Sequence, residues 1–478
     1  MQVKPSSKMI GLLSLIMLIT GSIDSIRNLP ATALFGSQLI AFFVISAIVF
    51  LIPVGLVSAE LANLKTKYTG IYGWVREAFG EQWAMLAIWL QWINTMVWYP
   101  TILSFIAATA VFLFMPELAQ QKLYQIITII TVFWGLTLVN LRGIQTSARF
   151  ASFCAIVGMV IPMFLIISLA VAWFVMGNPI HIQLTWASIA PRLHDQASLS
   201  SLTAIMTAFL GIELATAHVK RVQNAQRTFP LAIAISVIFI LLTMILGSLA
   251  IAIVLPQANI NLVDGVIQAF DNFVKAYHMS FLTPVITVMI LIGSLGGMVN
   301  WLISPAEGLL QAANDKFLPP YFTKVNQHGV ASRLLIGQAV LVTLFCSAYL
   351  FMPSVNSSYW LLTALSTQLY IFMYVLMFAA AITLKFRSNS EHNGFKIPFG
   401  KKGTVVVSTL GFVGCIVTLI VGFFPPQSID VGGQAFFDIV FGVSMVVMVL
   451  PVFGLYLYRA RNKALPSQNV PLDSIEAM

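Results

Sequence analysis

Twelve windows of apolar residues, each close to the ~20 that a helix needs to cross a hydrocarbon core, recur along this chain. They lie near 9–36, 38–63, 83–114, 123–141, 150–176, 200–219, 229–254, 282–310, 333–352, 358–384, 403–424 and 434–458. No feature constrains the fold more, because backbone surrounded by lipid has to satisfy its own hydrogen bonds, and a helix does so locally. Composition closes the alternative: hydrophobic residues make up 59% of the 478 and charged residues 9%, which leaves too few polar groups to cover a water-soluble fold of this size. The longest gaps between windows, near 177–199 and 255–281, are too short for a separate soluble domain. The expected fold is an all-α polytopic membrane protein of twelve transmembrane helices.

A formal net charge of +9 would invite a nucleic-acid reading in a soluble protein, so its distribution decides what it means. With twelve spans and a cytoplasmic N-terminus, every lysine and arginine falls on the cytoplasmic side except Lys122, Arg192 and Lys275 outside and Arg27 within a span. That asymmetry is the positive-inside pattern of a multi-pass protein in the cell inner (plasma) membrane, with both termini cytoplasmic, lipids as neighbours and no nucleic-acid partner. The N-terminal apolar run continues past the length of a signal-peptide core without a small-residue cleavage site, so it reads as the first helix.

Two windows are interrupted. The first breaks at Gly21-Ser22-Ile23-Asp24-Ser25-Ile26-Arg27-Asn28 and resumes at Leu29-Pro30. Glycine permits unusual backbone angles, Pro30 cannot donate to a preceding carbonyl, and Ser, Asp and Asn compete for local hydrogen bonds, so unwinding is expected around Ile23 to Arg27. The sixth window breaks at Phe209-Leu210-Gly211-Ile212-Glu213-Leu214. Each break carries a carboxylate at mid-membrane depth. Broken helices at corresponding positions of two halves point to a secondary transporter, with helices one and six equivalent in a five-plus-five inverted repeat. The expected organisation is one transporter unit over 1–464, with repeats near 9–176 and 200–384 and two extra C-terminal helices near 403–458. A short disordered cytoplasmic tail, 465–478, follows.

Candidate substrate-binding residues are Ile23, Asp24, Ser25, Arg27, Trp98, Tyr99, Gly211, Ile212 and Tyr370; candidates for gating or proton coupling are Glu213, Trp301 and Glu307. Asp24 and Arg27 are three apart, which fits either a mutually neutralising pair or groups that face substrate. Glu213 has no basic neighbour in sequence, as suits a proton carrier or sensor. Trp98, Tyr99 and Pro100 interrupt the third helix, to which Gln91, Asn94, Thr95 and Thr101 add polarity; these aromatics read equally as substrate-facing or as packing. The eighth combines Gly296 and Gly297 with Trp301, Pro305 and Glu307, a kink with a gate-sized aromatic. Tyr370 and Tyr374, four apart, share a face of the tenth. His218 reads as interfacial. Cys154, Cys346 and Cys415 lack metal or disulfide spacing, no enzyme motif occurs, and no cofactor is expected.

Several separated stretches carry a resemblance: Ser25-Ile26-Arg27-Asn28-Leu29-Pro30, Phe50-Leu51-Ile52-Pro53-Val54-Gly55-Leu56 with Ala59-Glu60-Leu61, Gly70-Ile71-Tyr72-Gly73-Trp74-Val75-Arg76, Gly211-Ile212-Glu213 and Leu318-Pro319-Pro320. Together they resemble the amino acid-polyamine-organocation superfamily, and within it the glutamate:GABA antiporter family. The resemblance implies broken helices one and six, a central amino-acid site, exchange by alternating access, a gating carboxylate at Glu213 and a gating aromatic near Trp301. Two positions depart from it: a charged stretch replaces the usual glycine-rich break in helix one, and the often aromatic position six before Glu213 is Thr207, with Phe209 the nearest substitute. With a short tail after Lys463, the long C-terminal plug of some members is not expected. The leading function is amino-acid antiport of the glutamate/GABA type. The alternatives are a proton-coupled permease for cationic or neutral amino acids or polyamines, and a non-transporting membrane receptor; a channel lacks its continuous polar stripe. Amino acids and protons are the expected small partners, and a homodimer stays open.

Overall fold

The computed structural model describes residues 11–63, 70–143, 148–191, 196–215, 222, 224–313, 315–387 and 395–462, so the expectations for His218 and for the tail 465–478 lie outside the described residues. All twelve apolar windows hold helix, and no strand occurs among the described residues. Nine helices among these are long and apolar enough to cross a membrane: Leu12–Ala33, Gly36–Ala62, Lys122–Leu141, Ser152–Val175, Gln226–Val254, Ser332–Phe351, Val355–Arg387, Gly400–Val421 and Gln434–Arg461. The other three windows hold the shorter apolar helices Ser201–Leu214 and Leu282–Gly296, and Glu81–Val111. This last helix has 31 residues. At 1.5 Å per residue it is about 46 Å long, ample for a bilayer core, but Gln91, Asn94 and Thr95 dilute its apolar character.

Packing grades from a buried centre to an exposed apolar rim. Glu81–Val111 and Val355–Arg387 run against each other in the middle, and both are buried over most of their length. Leu12–Ile23 lies along Ala225–Val254. Leu282–Trp301 packs on Ala148–Ala155 and the following turn, and the contact closes at glycines: a Cβ on Gly158 would stand 2.2 Å from the Gly293 Cα, and one on Gly296 2.3 Å from the Cys154 Sγ. Small residues let membrane helices touch backbone to backbone, where dispersion takes over from the hydrophobic effect. At the rim, Gln434–Val449 turns Ile439, Val443, Val446 and Val447 outward.

Two helices widen by one π-type turn, Ala47–Leu51 and Ile156–Val160, and each turn is followed by a proline, Pro53 and Pro162. A proline offers no N–H to the carbonyl one turn earlier, and a local change of register absorbs the mismatch. Polar contacts sort the connecting segments into two sets. Arg76 pairs with Asp315 (2.8 Å) and Glu81 (2.8 Å), Arg459 with Glu81, and Lys385 with Glu60. At the opposite end, Lys122 donates to the Met352 carbonyl (2.6 Å), Gln120 to Asp264 (3.3 Å) and Ser198 to Gln38 (2.7 Å). Each set unites loops that an alternating count of spans puts on one face.

Candidate functional site

The first interruption forms where the polar residues require it. Leu12–Ile23 ends as Asp24 (φ −64, ψ 125) and Ser25 (φ −152, ψ 118) become extended, and a tight turn, Ile26–Asn28, leads into Leu29–Ala33 with Pro30 in its first turn. The second interruption uses a different device. Ser201–Phe209 ends at Leu210 (ψ 140), Gly211 takes φ +106, and helix resumes at Ile212–Ala215. A side chain at Gly211 would be strained by that angle, and its Cβ would also lie 3.1 Å from the Ser22 carbonyl oxygen. The two breaks therefore meet backbone to backbone.

Between them lies a cavity of about 380 Å³, at the small end of the roughly 300–1,000 Å³ range of small-molecule sites. Its wall includes Ile23, Asp24, Ser25, Arg27, Trp98, Gly211 and Tyr370 of the sequence candidates, with Asn94, Thr95, Thr207 and Ser366 beside them. Asp24 and Arg27 are both more than nine-tenths buried and make no ion pair with each other. Arg27 Nη1 donates to Thr101 Oγ1 (2.8 Å) and Tyr359 OH (3.3 Å), and the guanidinium lies 5.1 Å from the centre of the Trp98 ring. Asp24 accepts from Thr243 Oγ1 through Oδ2 (3.0 Å). Arg27 Nε and Asp24 Oδ1 are buried without a hydrogen-bond partner. The mutually neutralising pair that the spacing allowed is not what forms: other helices hold the two side chains separately.

Glu213 sits behind this wall. The Tyr370 and Tyr374 hydroxyls each donate to one of its carboxylate oxygens, Tyr374 also accepts from the Gly211 N–H (3.1 Å), and Gln91 donates to Tyr370 at 3.4 Å. Tyr370 lines the cavity and Glu213 does not, so the carboxylate reaches the cavity through a phenol.

The other candidates with described side chains lie elsewhere. Tyr99 is fully buried with its ring 4.9 Å from that of Phe133, on the side of its helix away from the cavity wall. Ile212 packs against Gly55, where a Cβ would lie 3.0 Å from its Cδ1. Glu307 is exposed on Ile303–Leu310 and is not part of the cavity wall. Trp301 closes Leu282–Trp301, and its side chain lies outside the described residues. Thr207 lines the cavity and is hydrogen-bonded to Thr367, whereas Phe209 packs edge-on to Phe43 (5.5 Å) and takes no place in the wall. Sequence reasoning missed Thr243 and Tyr359. Their one signal is polarity within an apolar window, which many helix-packing residues share.

A bundle of membrane helices in which two broken members meet across a buried, charged cavity is the arrangement of a membrane transporter. The sequence model described as "Amino acid permease" matches residues 10–457, and the chain belongs to that family. It is 38% identical over 435 residues to an uncharacterized transporter of Legionella pneumophila, covering 91% of this chain and 93% of the other. It is 28% identical over 456 residues to a glutamate/gamma-aminobutyrate antiporter of Lactococcus lactis, covering 94% of this chain and 91% of that one. Among solved structures, a manganese transporter of Eremococcus coleocola aligns over 97% of both chains with a TM-score of 0.55 at 12% identity, a likeness of fold alone. The protein is thus a multi-pass membrane transporter of the amino acid permease family, with amino acids as its cargo.

Proposed function

We propose that the chain exchanges amino acids across a bacterial-type inner membrane by alternating access, in the manner of glutamate/γ-aminobutyrate exchange. One observation carries the reading: the cavity between the two breaks presents one buried cation, Arg27, and one buried anion, Asp24, each with an unused hydrogen-bonding atom. Burying such charges is costly, and burial without full pairing is characteristic of a site that completes itself with cargo. The last carbonyls of a half-helix that ends at Ile23 add partial negative charge for an ammonium group. In this reading the chain has twelve spans, with repeats over 9–176 and 200–384, two extra helices over 403–458 and both termini in the cytoplasm, where the positive-inside bias puts them.

Proton-coupled uptake is the second reading, and the phenol-capped Glu213 favours it, since a buried carboxylate one hydroxyl from the cavity is placed to exchange a proton with it. Purified protein in liposomes preloaded with single amino acids tests both, with labelled glutamate, glutamine, γ-aminobutyrate, arginine, agmatine and neutral amino acids outside. Uptake that needs a preloaded partner supports exchange. Uptake that needs only a proton gradient replaces it with the second reading, and binding without flux would leave a receptor.

A further inference from the structure

We infer that Arg27 reads the carboxylate, and Asp24 the ammonium, of a cargo whose two charged groups are separated by a chain of three carbons, the element common to glutamate and γ-aminobutyrate. The inference rests on the exchange reading above and adds how one cavity accepts two cargoes of different net charge.

Neither side chain has a charged partner among the described residues. Opposite charges three residues apart in an unwound segment would be expected to pair, yet each is drawn off by a different element: Asp24 by Thr243 of Ala225–Val254, Arg27 by Thr101 of Glu81–Val111 and Tyr359 of Val355–Arg387. All three partners are neutral hydroxyls. A hydroxyl leaves the net charge of either group uncompensated, whereas an opposite charge adds Coulomb attraction in a low-dielectric cavity, so a cargo carboxylate competes well for Arg27 and a cargo ammonium for Asp24.

The geometry of the guanidinium narrows this further. Its hydrogen bonds run through Nη1 alone. Nε and Nη2 have none, and these two N–H groups point the same way along one edge of the planar fork, the edge that takes a carboxylate bidentately. The guanidinium lies 5.1 Å from the centre of the Trp98 ring in the cavity wall, and that edge is the part of it left without a hydrogen-bond partner.

Chemistry then selects the cargo. Removing the α-carboxylate of glutamate gives γ-aminobutyrate, and the amine and the distal carboxylate keep the same three carbons between them. A site that binds both cannot depend on the α-carboxylate, so its recognition falls on the two groups that survive. Among the described residues of the cavity wall, Asp24 and Arg27 are the charged side chains, one of each sign. Glutamine keeps the ammonium but replaces the distal carboxylate with a neutral amide, and so forfeits Arg27.

The test is equilibrium binding of glutamate, γ-aminobutyrate and glutamine to the purified full-length protein in detergent, for wild type, Arg27→Gln and Arg27→Lys. Wild type is expected to bind glutamate and γ-aminobutyrate more tightly than glutamine. Arg27→Gln should weaken the first two by about tenfold to a hundredfold, the range for losing hydrogen bonds to a charged group, while glutamine changes little. Arg27→Lys, which keeps the charge without the fork, should fall between. Equal weakening for all three ligands would overturn the inference and leave Arg27 a structural residue, as would an unchanged ratio of glutamate to glutamine. Should Arg27→Gln unfold, the order of wild type and Arg27→Lys on the glutamate-to-glutamine ratio decides alone: an unchanged ratio counts against the fork. Binding does not depend on flux, so a protein that discriminates in this way but does not exchange counts against the exchange reading and not against this one.

Discussion

The two breaks solve the same problem in opposite ways. In the first, side chains do the unwinding: Asp24 and Ser25 extend the backbone, Pro30 restarts the helix, and Asp24 and Arg27 are each tied to other helices. In the second, backbone does it: Gly211 alone adopts φ +106, and the nearby charge, Glu213, is withdrawn behind Tyr370. Under the proposed exchange, the first break is where cargo is read, and the second is a backbone hinge with the Glu213 carboxylate beside it. The contrast implies that single substitutions cost unequal amounts at the two.

Gly211→Ala should have the largest effect. It forces a Cβ into a left-handed angle and against the Ser22 carbonyl, at about 1–3 kcal/mol of strain, and should abolish transport while lowering the melting temperature. Transport close to wild type would end the claim that backbone carries this break. Glu213→Gln comes next: it preserves shape but removes the titrating group, so the pH profile of flux should flatten while the protein stays folded. An unchanged profile would take Glu213 out of proton coupling.

Asp264 sharpens the comparison from outside the cavity, as a carboxylate in the loop before Gly265–Ala276 whose side-chain donors are Gln120 and Gln268. Burial pushes its carboxyl up to about 6 from 3.8, against the pull of those donors. The unfolded chain then ionises first as pH rises, so the contribution of Asp264 to stability is full below pH 4 and is lost, by up to about 3 kcal/mol, between pH 4 and 6. Asp264→Asn should remove that slope from melting curves without altering the ratio of cargo affinities, and a slope that persists would assign it to other groups. The smallest effect belongs to Thr243→Val, which deletes one hydroxyl hydrogen bond to the Asp24 carboxylate, worth about 1.5 kcal/mol, the low end for a bond to a charged group. It should leave cargo discrimination intact and shift stability slightly, whereas a loss of discrimination would make Thr243 part of the reading group.

Much of the architecture was legible in advance because the bilayer imposes a local rule. An apolar run of fixed length has one way to satisfy its backbone, so all twelve windows hold helix, and runs interrupted by Gly211 or by Asp24, Ser25 and Pro30 have to break there. The site was legible only in part. Asp24, Arg27, Trp98 and Tyr370 stood out as polar or aromatic groups in apolar surroundings and do line one cavity. Tyr99, named as an aromatic of the interrupted third helix, and Ile212, named with the half-helix end at Gly211, have side chains outside its wall, because neighbours on a helix point about 100° apart and only packing decides which faces inward.

What the sequence determined by itself is where the chain is helical, where it cannot be, and which residues bring charge to membrane depth. Which charge meets which partner was decided by tertiary structure alone. Arg27 and Asp24 are three apart and do not pair, while Arg27 bonds Tyr359 and Glu213 bonds Tyr370 and Tyr374, contacts across more than 150 residues. The physical reason is range: backbone satisfaction is settled within one helical turn, whereas a buried side chain is satisfied by whichever distant helix packs against it.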